Sequence, residues 1–250
     1  MKAVVLAAGI GKRLQPLTTR LPKCLLEVSG KPLIDYYFDA FVKCGIDEVV
    51  YVLGHEGEMI KKRLGNSYLG VKVRYIYNPM YQGSGSAYSV LLARNEFTRE
   101  PFIISDSDML FPPQLLRVVI ESKHDNVIMV ENDPAKFSEE PVWVLAVDGI
   151  VTEATKNAFD KSKFVGECIG MFKFGDNAPE VLINGLRNYL KIHGIASQYD
   201  DAYNDVYPHI CVYPVLTQGL PWAEIDHLRD LEKAIKDIYP RMMNLSARGT

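Results

Sequence analysis

Lys2-Ala3-Val4-Val5-Leu6-Ala7-Ala8, followed by Gly9-Ile10-Gly11-Lys12-Arg13-Leu14, decides the fold. The first half is a short apolar run rich in Val and Leu, the pattern of a buried parallel strand. The second half is a glycine loop carrying two cations, extended by Gln15 to Lys23. Glycines let the chain turn and let backbone N–H groups approach phosphate oxygens. Arg13 can neutralise anionic oxygens as a fork, and Lys23 as a point charge. A strand feeding such a loop suits a nucleoside triphosphate, with Leu6, Ala7, Ala8, Gly9 and Gly11 against the nucleotide. The loop lacks the third glycine of the dinucleotide fingerprint and the Gly-Lys-Ser/Thr of a Walker A loop, so it is neither.

Moving outward, strands and helices alternate. Leu33 to Cys44 has apolar residues at 34, 37, 38, 41 and 42, a helical repeat that Gly45 can end. Asp47–Leu53, Val71–Tyr77, Pro101–Ser105 and Asn126–Val130 read as strands, with helices over 56–64, 85–94 and 112–123. This rhythm predicts a mostly parallel sheet with helices on both faces. Ligands of such sheets bind outside the carboxyl ends of the strands. Both the Gly9–Arg13 loop and Asp106–Asp108 should lie on that edge.

After about Asp133 the rhythm changes. Val142–Val147, Ile150–Glu153 and Phe164–Phe174 look like mixed or antiparallel strands, and Asp148-Gly149 carries a hairpin signature. An amphipathic helix over 176–191, a polar and aromatic segment over 199–209, a strand over 210–215 and a closing helix over 228–238 follow. The expectation is one domain over 1–240, with a nucleotide half (1–132), an acceptor half (133–240) and a frayed tail over 241–250.

Composition narrows the field. The chain has 250 residues, 48% hydrophobic and 24% charged, enough for a sizeable core. A net charge of −3 gives no bulk pull toward nucleic acid or an anionic membrane. Cys24, Cys44, Cys168 and Cys211 show neither a Cys-x-x-Cys pair nor a zinc spacing, and read as reduced thiols. No apolar run approaches the roughly 20 residues of a membrane helix, and no signal peptide opens the chain. A cytoplasmic protein without membrane insertion is expected. An oligomer, and a longer fusion protein, both stay open.

The string Leu6 to Leu14, then Pro16-Leu17-Thr18, Pro22-Lys23-Cys24-Leu25-Leu26 and Gly30-Lys31-Pro32-Leu33-Ile34, resembles the opening of the sugar-1-phosphate and choline-phosphate nucleotidylyltransferases. The resemblance is closest to the phosphocholine and phosphonate cytidylyltransferases. It implies a Rossmann-like, GT-A type α/β fold. It also implies transfer of CMP from CTP to a small phosphorylated or phosphonate acceptor, with sugar-1-phosphate uridylyl or thymidylyl transfer as the alternative. A non-catalytic nucleotide-binding regulator would lack Arg13, Lys23, Asp108 or Asp226, and all four are present.

The resemblance carries catalytic roles onto Arg13, Lys23, Asp108 and Asp226. It makes Asp108 and Asp226 ligands of Mg²⁺, a hard cation that suits carboxylates and phosphate oxygens. Asp106 is a further candidate, and Asp226 can also be read as a helix cap. Gln82, Gly85 and Ser86, in Tyr81-Gln82-Gly83-Ser84-Gly85-Ser86, match a base-reading segment in which Asn usually stands where this chain has Ser86. Trp143 matches an aromatic wall for a cationic head group, although a core Trp is an equal reading. Lys156 matches an acceptor-phosphate lysine. Glu167 looks like a pocket wall, and Tyr199, Tyr203 and Tyr207, near Asp200, could complete the pocket. All five histidines read as ordinary polar residues.

Overall fold

The structure, a computed structural model, describes residues 1–248. Its centre is a ten-stranded sheet. Phe102–Asp106, Lys2–Ala7, Glu48–Leu53 and Val71–Tyr77 lie side by side and parallel. In Lys2–Ala7 the side chains alternate between two cores. Val4 and Leu6 join one with Ala87, Val90, Leu182 and Leu186, whereas Ala3, Val5 and Ala7 join the other with Ile34, Phe38, Phe41, Ile60 and Leu115. Burial on both faces is why this strand reads as an unbroken apolar run.

The helices Ser86–Leu92 and Ala178–His193 cover the first face; Leu33–Lys43, Gly57–Leu64 and Pro113–Ile120 cover the second. In Leu33–Lys43 the buried stripe is Ile34, Tyr37, Phe38 and Phe41. Val42, expected in that stripe, is half exposed instead.

Val127–Glu131 departs from the expected parallel series. It pairs antiparallel with Phe164–Phe174 and parallel with Tyr213–Leu216. The eleven-residue strand Phe164–Phe174 is the cause, because it also pairs with Phe102–Asp106 and with Trp143–Val147. Its register shifts between Cys168 and Phe172. Gly170 sits in that irregularity at φ +75°, and a Cβ there would fall 2.3 Å from Asp106 Oδ2. This bulge turns the strand from the parallel half toward the cavity of the second half. Asp148 and Gly149 both have positive φ and close the expected hairpin between Trp143–Val147 and Ile150–Thr155.

A third, smaller core contains Leu14, Leu26, Leu33, Leu110, Ile225, Ala234, Ile238 and Met242. It fastens the end of the chain beneath the glycine loop. The closing helix therefore does not stop at 238. It passes through a π-helical turn, Ala234–Ile238, into Tyr239–Arg248, and Met242 is buried. The frayed tail expected over 241–250 is thus helical to Arg248; residues 249–250 lie outside the described residues. Among the described residues no helix is long and apolar enough to cross a membrane.

Candidate active site

A cavity of about 1240 Å³ opens along the carboxyl edge of the parallel strands. Leu6, Ala7, Ala8, Gly9, Gly11, Arg13 and Lys23 line one end. Thr18 Oγ1 donates to the Gly11 carbonyl at 2.7 Å and closes the glycine loop on itself.

The charges at this end interlock. Lys23 Nζ donates to Asp108 Oδ2 at 2.6 Å and to Asp226 Oδ1. Arg13 donates to Asp226 Oδ2 at 2.6 Å and to Glu140 at 3.1 Å. Asp226 comes to Asp108 because Ala223–Glu224 pairs with Met109–Leu110. Asp108 and Asp226 thus flank one two-stranded ladder.

Glu224 is the third carboxylate. One oxygen each of Asp108, Glu224 and Asp226 lie within 4.8 Å of one another. The sequence expectation did not include Glu224; its spacing of two from Asp226 was the available signal. Burial, then the charges of Asp108 and Asp226, raise the Glu224 carboxyl well above the usual range. Burial also works to raise Asp226, but Lys23 and Arg13 outweigh it and hold that carboxyl low. Burial alone would lower the Lys23 ammonium, yet the charges of Asp108, Asp226 and Glu224 prevail and raise it. Asp108 Oδ1 is buried without a hydrogen-bond partner. Three hard oxygen donors around an orphaned carboxylate oxygen fit a divalent cation such as Mg²⁺.

Asp106 is not one of the three clustered carboxylates. Its Oδ2 accepts from the Tyr199 hydroxyl, and burial followed by the Asp108 charge raises its carboxyl.

The Gln82–Ser86 loop lines the middle of the cavity. Gly85 has a tight local reason to be glycine, since a Cβ there would fall 2.1 Å from the Ser197 carbonyl. Ser86 Oγ donates to Gln198 Oε1 and accepts from the Tyr199 amide, both at 2.9 Å. It therefore holds the 198–199 turn. Asn78, just after the strand Val71–Tyr77, is buried and braces the loop through Ser84, Ser89 and the Met80 amide.

The far end is lined by Lys156, Glu167, Tyr199, Asp200 and the segment 135–140. Two buried carboxylates that pair in register anchor that segment: Glu131 and Glu167. Glu131 accepts from Trp222 Nε1 at 2.8 Å, Thr217, Lys136 and the amides of Asn132 and Asp133. Glu167 accepts from the Ser138 amide at 2.9 Å and from its hydroxyl. Burial raises the Glu167 carboxyl despite those donors. Burial also pushes Asp200 up to about 7, with Lys156 working against it and Asp201 with it.

Three expected wall residues, Trp143, Tyr203 and Tyr207, do not line the cavity. Tyr203 is fully buried, its ring edge-on to Phe172 and Phe174, and Tyr207 is buried in the same core. The 199–209 segment begins as the short helix Tyr199–Tyr203, which turns Tyr203 inward. Trp143 packs against Phe137, Phe159 and Phe164. Phe137, which stands 5.0 Å from Trp143, lines the cavity where Trp143 does not. Sequence reasoning missed Phe137 because nothing in 133–142 has a periodicity.

Cations and carboxylates at the carboxyl edge of a parallel sheet suit a phosphate ester, and the class so defined is the nucleotide-handling α/β proteins. The chain belongs to the nucleotidyl transferase family, whose profile matches residues 2–161. It is 31% identical over 153 residues to a CMP-5'-(3-aminopropyl)phosphonate synthase of Streptomyces rubellomurinus, covering 61% of this chain and 24% of that protein. It is 36% identical over 143 residues to a UTP–glucose-1-phosphate uridylyltransferase of Haloferax volcanii, covering 57% of this chain and 56% of that one. The matches thus span less than two thirds of either relative. Among solved structures, the inositol-1-phosphate CTP transferase from T. maritima has the same fold, with a TM-score of 0.75 at 23% identity over 98% of this chain and 96% of that one.

Proposed function

We propose that the protein is a divalent-cation-dependent cytidylyltransferase. It moves CMP from CTP to a small phosphomonoester or phosphonate carrying an ammonium group, and releases pyrophosphate. The observation that carries this is the cluster of Asp108, Glu224 and Asp226 interlocked with Lys23 and Arg13 at the end of the first strand.

The chemistry needs little besides positioning and charge neutralisation. The base lies against Ala7, Ala8 and the Gln82–Ser86 loop. Lys23 and Arg13 hold the triphosphate. Asp108 and Asp226, with Glu224, would hold Mg²⁺, which when bound neutralises charge on the phosphate oxygens. An acceptor oxygen attacks the α-phosphorus in line, and the bond from that phosphorus to the bridging oxygen of pyrophosphate breaks. A phosphomonoester is largely dianionic near neutrality, its second pKa being about 6, so no general base is required. Lys156 suits the acceptor phosphate. Asp200 and Phe137 suit a cationic group, one by charge and one through its ring face.

A second reading has its own support. The relative with 36% identity is a sugar-phosphate uridylyltransferase, and Trp143 does not face the cavity. Pyrophosphate release, crossing CTP, UTP, dTTP, ATP and GTP with phosphocholine, 2-aminoethylphosphonate, inositol 1-phosphate and glucose 1-phosphate, separates the two. Release with CTP and an ammonium-bearing acceptor is expected. Release only with UTP or dTTP and glucose 1-phosphate overturns the proposal in favour of the sugar branch.

A further inference from the structure

The carboxylate cluster has a competitor for a metal ion inside the chain itself. Lys23 Nζ takes Asp108 Oδ2 at 2.6 Å and also takes Asp226 Oδ1. Arg13 takes Asp226 Oδ2. Of the four oxygens on these two carboxylates, Asp108 Oδ1 alone has no hydrogen-bond partner among the described residues. A divalent cation bridging Asp108 and Asp226 therefore needs oxygens that an ammonium already holds.

The two cations cannot share those oxygens at close range without strong repulsion. The Lys23 side chain is only 13% exposed, so water gives its charge little relief. Arg13, at 45% exposed, is better able to turn outward. Once displaced, Lys23 needs a new anionic partner. The phosphates of a nucleotide in the adjoining Gly9–Arg13 loop supply one.

We propose that Lys23 is an internal counter-cation that keeps divalent metal off the Asp108–Asp226 pair until a triphosphate draws the ammonium away. Metal and nucleotide then enter together, and the free protein holds metal weakly. This regulation of the site rests on the cluster being a divalent-cation site, and not on which nucleotide or acceptor is used.

The test is a Mn²⁺ titration of the full chain without nucleotide, read from the electron paramagnetic resonance signal of the free aqua ion. Lys23→Met should bind Mn²⁺ about tenfold or more tightly than the wild type, because the resident charge is gone while every ligand remains. Arg13→Met, which frees one oxygen of Asp226, should gain less, about threefold. Adding Asp226→Asn to Lys23→Met should abolish the gain and so locate the ion. Circular dichroism establishes that each variant is folded, and Arg13→Met keeps the question open to measurement if Lys23→Met does not fold. Affinities for wild type, Lys23→Met and Arg13→Met that agree within about twofold would overturn the proposal. That result would leave nucleotidyl transfer standing. Conversely, absence of pyrophosphate release with every substrate pair would remove the transferase reading without touching a Lys23-dependent Mn²⁺ affinity.

Discussion

The two ends of the cavity handle charge in opposite ways. At the phosphate end two carboxylates are ion-paired: Lys23 bridges Asp108 and Asp226, and Arg13 adds a second contact to Asp226, while Glu224 beside them is raised by burial and by their charges. At the acceptor end the carboxyls outnumber the cations. Asp106, Glu167 and Asp200 are all pushed up first by burial, and Lys156 is the cation that acts on Asp200. In the first, Asp108 and Asp226 are already paired within the protein. The second is short of positive charge, which the ammonium group of the proposed acceptor would supply. Charge pairing thus favours an anion at one end and a zwitterion at the other.

The sharpest way to break this contrast is at the phosphate end. Asp108→Asn keeps the shape but removes a charge from the cluster. Turnover should fall by roughly a thousandfold or more, with the circular dichroism spectrum unchanged. Steady-state pyrophosphate release measures it, and a loss below about tenfold would remove Asp108 from the metal site.

Next in size is the lysine at the acceptor end. Lys156→Met should raise KM for the acceptor by about thirtyfold, the loss of one partner from a charge pair, and leave KM for CTP nearly constant. An equal rise in both constants would mean that Lys156 supports the cavity as a whole.

How legible these two ends were differs for a physical reason. The phosphate end is built from consecutive residues. A strand, a glycine loop and Lys23 lie within the first 23 positions, and local sequence prescribes them. Asp226 is distant, but it follows a buried two-residue strand, so its neighbour-but-one Glu224 could have been assigned by alternation. The acceptor end is made by tertiary contact alone. Phe137 reaches the cavity because Glu131 and Glu167 pin the segment around it, and both carboxylates lie on strands whose pairing depends on the bulge at Gly170. No local pattern announces that bulge. Tyr203 was misplaced for the same reason: an aromatic near acidic residues looks like a pocket until its helix turns it into the core.

A pH series sharpens the contrast with a smaller effect. Asp200 titrates at about 7 when folded, against an ordinary value of 3.8. The folded state therefore binds more protons than the unfolded state between those values. Asp200's contribution to stability is fully present at low pH, and is lost as pH rises from about 4 to about 7. An ammonium group favours the ionised form. Affinity for a cationic acceptor should therefore rise about tenfold from pH 6 to pH 8 and then level off. Lys156 and Asp201 face the same carboxyl, and Asp106 and Glu167 line the same end, so the comparison is made against Asp200→Asn. That variant should bind weakly at every pH, with a flatter profile and a flatter dependence of melting temperature on pH. Identical slopes in variant and wild type would assign the titration to another group.

The smallest effect separates Trp143, the ring the sequence pointed to, from Phe137, which it did not. Phe137 and Trp143 touch edge to face at 5.0 Å, yet only Phe137 lines the cavity. If the ring face meets an ammonium group, Phe137→Ala should raise KM for phosphocholine about fivefold, within the range of a partly desolvated cation–π contact. Trp143→Ala should change that constant less than about twofold and lower thermal stability instead, because it removes the centre of the cluster formed with Phe159 and Phe164. Double substitution tests independence, since rings in contact should couple through packing but not through the ligand. If Trp143→Ala raised KM more than Phe137→Ala, the segment around Phe137 would have to move aside when the acceptor binds. The two carboxylate anchors, Glu131 and Glu167, would then be the hinges of a closing strap.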